Sequence, residues 1–326
     1  MKSVQFFSNI IKSNSIIKST LKKVVSVRLR NKIYKLLNKD NTVTLYYQNK
    51  TAFIDLENEK IKGLIPVYYW DGEPNFGDLI GPYLVSKITG TPVLNIKNLK
   101  HPGIMTVGSI IQMIDRKDMV IWGSGLMYKL KDTQINSFKD NAPYILSVRG
   151  QESAQHLIDS GISVPDQKFY GDPALILPLF YTPSIRGSKK IGICPHYIHK
   201  PYFLKSLTGK DNLRIINVQN DVETVVDEIA SSAVCISTSL HGLIIAQAYG
   251  IPWVWLEVCD KSLSGGDFKF KDFFSTLNEA QVSHIKVNLN DIESIDYEAV
   301  ADKAVLPDKL YSEQLILEAF ESYLNN

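Results

Sequence analysis

The stretch VCISTSLHGLIIAQAYGIPWVWLE, residues 234–257, decides the fold. Val234, Cys235 and Ile236 form a short β-prone apolar run, which Ser237, Thr238 and Ser239 break with hydroxyls. Residues 240–249 have the length and composition of a tight helix. Gly250 stops it, and Pro252 opens a second apolar run. An apolar run, a hydroxyl-rich turn, a helix and another apolar run predict a βαβ crossover of a parallel sheet. Such sheets bind ligands outside the carboxyl ends of their strands. The turn therefore offers N–H groups at a helix N-terminus, three hydroxyls and His241 as a place for an anion. The same residues also read as a plain helix cap beside a core histidine, and the stretch alone leaves both readings open.

Outward from this stretch the alternation recurs. Short apolar runs at 64–70, 92–96, 104–107, 119–122 and 144–148 each end in glycine or a polar turn. Helical pattern follows several of them, as at 79–89 and 151–160, and strand-like pieces at 43–47 and 52–56 precede them. The polar run 181–190 (YTPSIRGSKK) reads as a linker. A second series begins at 191–197 (IGICPHY), continues through 214–218 and a helix at 222–233, and closes with a helix at 307–324. This predicts two Rossmann-like α/β halves, residues 43–185 and 186–326, with the site in the cleft between them. A length of 326 residues suits two such domains.

The composition, 44% hydrophobic and 21% charged, is that of a globular protein. Cys194, Cys235 and Cys259 are an odd number, each in an apolar run. They predict reduced core thiols and a cytosolic setting, with neither a disulfide framework nor a metal site. No run of 18 apolar residues predicts a membrane span. The net charge of +2 hides an asymmetry, because residues 1–39 hold ten Lys and Arg and no Asp or Glu, leaving −8 on the rest. Phe7, Ile10, Ile11, Ile17, Leu21, Val24 and Val25 recur at helical spacing in the same arm. A basic amphipathic arm, residues 1–42, on an acidic body predicts contact with an anionic membrane surface from its cytoplasmic face. That reading is preferred to a nucleic-acid tail or a helix packed on the body, and no nucleic-acid partner is expected.

Four clusters fall at expected strand ends in the first half. In Asn75-Phe76-Gly77-Asp78, Gly77 permits close approach, and Asp78 is either a helix N-cap or a carboxylate facing a ligand. Gly123-Ser124-Gly125 is a small-residue turn where backbone can approach a substrate. Arg149 ends a buried run and needs an anionic partner, either a ligand carboxylate or phosphate or a neighbour such as Glu152. Asp172, in Gly171-Asp172-Pro173, reads as a turn-former or a partner of Arg149. In the second half His196 and His241 both stand at strand-to-helix junctions.

The segments NFGD (75–78), SVRGQES (147–153), YGDPALILP (170–178), IGICPHY (191–197), STSLHGLIIAQAYGIPWVW (237–255) and FKFKDFF (268–274) resemble the polysaccharide pyruvyl transferase family, nearest its bacterial exopolysaccharide and capsule ketal pyruvyltransferases. The resemblance runs from about residue 64 to 278, in order. It implies two Rossmann-like domains in a GT-B-like arrangement, the first on the acceptor side and the second on the donor side. It also implies transfer of pyruvate from phosphoenolpyruvate onto two hydroxyls of one sugar, in a surface polysaccharide or its lipid-linked precursor. No further cofactor and no metal are implied. In its terms Arg149 and His241 look like donor-binding or catalytic residues. Many members carry an Arg where this chain has Ser239, so part of the donor's charge must be met from elsewhere.

The expected donor contacts are Arg149, Ser237, Ser239, Leu240, His241 and His196; the expected acceptor contacts are Asn75, Gly123, Ser124 and Asp172. The chemistry needs an acid for the enol carbon and a base for the sugar hydroxyl. His241 is expected as the acid and Asp78 as the base. Two other readings stand beside this one: a nucleotide-sugar glycosyltransferase of the same architecture, and a non-catalytic membrane-tethered scaffold of polysaccharide assembly.

Overall fold

The computed structural model describes residues 42–55, 63–184, 187, 190–207 and 209–325. The basic arm and part of the expected linker lie outside the described residues. The chain opens with a hairpin of β1 (Thr42–Tyr47) and β2 (Lys50–Asp55). Gln48 and Asn49 both take positive φ in the two-residue loop, which matches the twist of an antiparallel pair. There follow β3 (Ile65–Tyr68), α1 (Phe76–Thr89), β4 (Val93–Asn95), β5 (Ile104–Met105), β6 (Val120–Trp122), α2 (Asp132–Asn141), β7 (Tyr144–Ser147) and α3 (Gln151–Asp159). A 3-10 turn spans Pro173–Leu179. The second series is β8 (Ile191–Cys194), α4 (Lys200–Leu207), β9 (Leu213–Ile215), α5 (Val222–Ala230), β10 (Val234–Ser237), α6 (Leu240–Ala248), β11 (Trp253–Val258), α7 (Phe268–Phe274), β12 (His284–Val287), α8 (Tyr297–Ala301) and α9 (Glu313–Leu324).

Two sheets result. The first runs β2-β1-β4-β3-β5-β6-β7 and the second β12-β11-β10-β8-β9. Setting aside the antiparallel hairpin, the parallel strands of both follow one doubly wound order: second, first, third, fourth, fifth. In that order the chain reverses direction across the sheet between its first and third strands, and the helices on either side leave a crevice at those carboxyl ends. The crevices lie beyond β3 and β5 in the first sheet and beyond β8 and β10 in the second.

The opening stretch forms the expected crossover, with β10 paired parallel to both β8 and β11. Helix α6 is apolar nearly all round and buried from Leu240 to Gln247, which suits a helix enclosed between layers. Its neighbours Val222, Val225 and Val226 of α5 share one apolar core with Phe76, Ile80 and Leu84 of α1 and with Trp122 of β6. The core is therefore continuous from one sheet to the other. Helix α9 returns to the first sheet: Trp122 Nε1 donates to the Ile316 carbonyl at 2.9 Å, and the Trp122 and Phe320 rings stack at 4.2 Å. Cys194 and Cys235 are core thiols as expected. Cys259 is exposed, because the chain leaves the sheet at Val258. Among the described residues no helix is long and apolar enough to cross a membrane.

Candidate active site

The starts of α1 and α6 lie against each other, Gly77 of the first facing the His241 ring of the second. Asn75 caps α1, its Oδ1 accepting from Gly77 N–H, while its amide donates to Asp78 Oδ2 at 2.9 Å. Asp78 is thus not the cap, and its carboxyl is held by the Asn75 amide. Burial raises it to about 7, against the opposing pull of that hydrogen bond and of Lys269 and Lys97. The Phe76 N–H donates to the Val218 carbonyl at 2.8 Å, fastening the start of α1 to the loop after β9.

His241 lies in the first turn of α6 against this loop. A Cβ at Gly77 would fall well inside contact with His241 Nδ1, so only glycine lets α1 come this close. The other ring nitrogen, Nε2, stands 3.8 Å from Asp172 Oδ2. His241 is 8% exposed. Burial, with Arg149 and Lys269 nearby, pushes it down to about 3, so the imidazole is neutral in the unliganded protein. His196, after β8, is likewise held down to about 3 by burial, with Lys269, His199 and His241 adding to it. Its Nδ1 accepts from Ile198 N–H at 3.3 Å, which leaves Nε2 as the protonated nitrogen.

The expected anion cradle after β10 is partly used up by the fold. Ser237 is corrected from a donor contact to a turn residue. Its fully buried hydroxyl lies 2.9 Å from the Cys194 carbonyl and 2.8 Å from that of Ser239, and it accepts from Ser239 N–H at 3.0 Å. Thr238 Oγ1 accepts from His196 N–H and lies 2.9 Å from His199 Nδ1. Ser239 occupies the cap position of α6 without making a side-chain cap bond. Its hydroxyl and the backbone N–H groups opening the helix at Leu240 and His241 remain for an anion.

Three other expectations are corrected. Arg149 is fully buried, and its partner is Asp272 of α7, not Glu152: Nε donates to Asp272 Oδ2 at 2.8 Å, with further bonds to Ser109 Oγ and the Leu126 carbonyl. It backs the site with charge from behind a wall made by Gly125, where a Cβ would collide with the guanidinium. Ser124 is fully buried and donates to the Thr106 carbonyl, so it faces no acceptor. Gly123, at φ +70, is needed for a different reason: Pro173 and the Gly171 carbonyl occupy the place of its missing Cβ. It admits the 171–173 turn to the end of β6 and so delivers Asp172 to His241. Asp172 is buried, with burial raising it to about 6 against the pull of Arg149 and the Ala174 N–H.

One residue was missed. Lys269, in the first turn of α7, is 8% exposed, and no carboxylate pairs with its ammonium among the described residues. Burial lowers it to about 8, with Arg149 acting in the same direction and Asp78 against both. Its charge acts on Asp78, His196 and His241, lowering the pKa of each. Its ammonium stands over the Phe270 ring, 5.6 Å from the centroid, and a buried cation that no carboxylate balances favours an anion in the pocket. The sequence signal was available in FKFKDFF, but nothing there says which of its two lysines turns inward. No group of His, Cys, Asp and Glu among the described residues could hold a metal ion.

The chain is 28% identical over 219 residues to an uncharacterized protein of Acanthamoeba polyphaga mimivirus, covering 65% of this chain and 74% of that protein. The profile described as polysaccharide pyruvyl transferase matches residues 93–260, which carry Arg149, Asp172, His196 and the 237–241 turn. The chain belongs to the polysaccharide pyruvyl transferase family.

Proposed function

We propose that the protein moves pyruvate from phosphoenolpyruvate onto two hydroxyls of one sugar of a surface polysaccharide or its lipid-linked precursor. The observation that carries this reading is the company kept by His241: a neutral imidazole beside an unpaired buried lysine, an uncapped helix N-terminus and a carboxyl poised near pH 7. Phosphoenolpyruvate brings a phosphate and a carboxylate. Lys269, the Ser239 hydroxyl and the first N–H groups of α6 receive one anion, and Arg149 adds its charge from behind. Together they supply the cation that Ser239 lacks.

The bound dianion raises the proton affinity of His241, which then protonates the enol carbon. The neighbouring carbon becomes electrophilic, and a sugar hydroxyl attacks it while Asp78 takes the hydroxyl proton. Phosphate leaves, the second hydroxyl closes the ketal, and its proton departs with phosphate. One donor and two hydroxyls become one ketal and one hydrogen phosphate, so atoms and charge balance. The halves act as acceptor and donor domains of a GT-B-like pair. Residues 1–39 hold the enzyme at the cytoplasmic face of the membrane, where a lipid-linked acceptor is presented.

Thermal melting with phosphoenolpyruvate tests the donor. Near 100 times Kd it should raise Tm by roughly 5–10 °C, with most of that lost in Lys269→Met. No shift with phosphoenolpyruvate but one with a sugar nucleotide would replace this reading by glycosyl transfer. No shift with either would leave a scaffold.

A further inference from the structure

His241 and Asp172 face each other without touching. Nε2 and Oδ2 are 3.8 Å apart, and each is fully buried with no hydrogen-bond partner among the described residues. Buried polar atoms are nearly always paired, because each has given up its bond to water. Two orphans aimed at one another form a pair that a movement of about 1 Å would close to hydrogen-bond length. Asp172 is the fixed member. Its Oδ1 accepts from Ala174 N–H at 3.0 Å, and the glycine at 123 seats the turn that bears it.

We propose that Asp172 is the positioning residue of His241: its carboxylate accepts the Nε2 proton, so that Nδ1, on the Gly77 side, is the nitrogen that works on substrate. The chemical consequence rests on the pyruvyl-transfer reading, whereas the hydrogen bond does not. The charged groups facing the pair are Arg149 and Lys269 on the His241 side, and Arg149 and Asp272 on the Asp172 side. Two cations oppose formation of an imidazolium, and Asp172 is the carboxylate that offsets them at the ring. In the transfer step the Nδ1–H proton passes to the enol carbon of the donor. The N–H electron pair stays on nitrogen, and the C=C π pair forms the new C–H bond. The other proton stays on Nε2 throughout, hydrogen-bonded to the Asp172 carboxylate, which holds the ring ready to be recharged at Nδ1.

The test is 15N NMR of the full chain carrying labelled histidine, with the His241 signals assigned as those missing from His241→Gln. The wild type should show His241 as the Nε2–H tautomer. In Asp172→Asn the amide oxygen keeps the Ala174 bond and presents N–H to Nε2, so His241 should move to the Nδ1–H tautomer. A wild-type Nδ1–H tautomer overturns the proposal, and it decides the matter even if the variant does not fold. In turnover, Asp172→Asn should lower kcat at least 100-fold while KM for phosphoenolpyruvate stays within threefold. A kcat within threefold of wild type, or a loss appearing only in KM, overturns it. A wild type with the expected tautomer but no turnover of phosphoenolpyruvate would support the Asp172–His241 bond and remove the pyruvyl-transfer reading.

Discussion

Asp78 carries its charge above about pH 7, and Lys269 keeps its own below about pH 8. A base must be ionised to accept a proton, so kcat/KM for phosphoenolpyruvate should rise about tenfold per pH unit below 7 and then level. An anion anchor must be protonated, so the same quantity should fall above about 8. Rates from pH 5 to 9.5 check both limbs: Asp78→Asn should abolish turnover, and Lys269→Met should raise KM at least tenfold and erase the upper limb. The same groups shape stability. His196 and His241 stay neutral down to about 3 when folded, whereas an unfolded histidine protonates near 6.5. The unfolded chain then binds more protons, so these two cost stability as pH falls from about 6.5 to 3. Asp78 and Asp172, raised to about 7 and 6, stabilise fully below the ordinary carboxylate range, and their contribution is lost as pH rises through those values. The pairs offset one another between about pH 4 and 6, and below 4 only the histidines keep changing. Urea midpoints should therefore drop most steeply below pH 4, and His196→Gln with His241→Gln should flatten that drop.

Helix α7 shows what a linear reading of an element can and cannot give. Phe270, Phe273 and Phe274 of FKFKDFF pack on Trp253 and Trp255 as its apolar face. Lys269 and Lys271 are two residues apart and therefore on nearly opposite sides of a helix. Only the packing of that aromatic face sends Lys269 inward with Asp272, three residues on, while Lys271 pairs at the surface with Asp267 at 2.7 Å. Lys271→Met should therefore leave KM for phosphoenolpyruvate within twofold, in contrast to Lys269→Met. Helix α1 makes the converse case. The glycine of NFGD was legible as a point of close approach, but its neighbour was not: 164 positions of sequence separate it from the His241 ring it accommodates. Alanine is the better helix former by about 1 kcal/mol, yet at 77 its methyl group would displace the imidazole. Gly77→Ala should keep Tm within a few degrees and lose at least 100-fold in kcat, and a variant with normal turnover would show that His241 is free to move.

At the scale of the molecule, the alternation of apolar runs and helices was enough to read parallel α/β architecture, because each run carries its own period. The order of strands within each sheet was not readable, since it depends on which faces meet. The continuity of the core from one sheet to the other, and the return of α9 to Trp122, were hidden for the same reason. The contact that joins the halves was hidden in a different way. Arg149 demanded an anionic partner, and its nearest acidic neighbour in sequence was Glu152, but tertiary folding supplies Asp272 from 123 residues away. Asp272 also accepts from Ser153 N–H and Ser153 Oγ, both at 2.7 Å, so one carboxylate ties the end of β7 and the start of α3 to α7. Removing one member of a buried pair strands the other, at a cost of about 3–5 kcal/mol, or on the order of 10 °C in Tm for a chain of this size. Arg149→Ala and Asp272→Ala should each show this loss, and Arg149→Met with Asp272→Leu should recover part of it, because no charge is then left unpaired. The double variant should still bind phosphoenolpyruvate through Lys269, but more weakly. If the double variant instead lost the sum of the two single losses, the two charges would not be coupled.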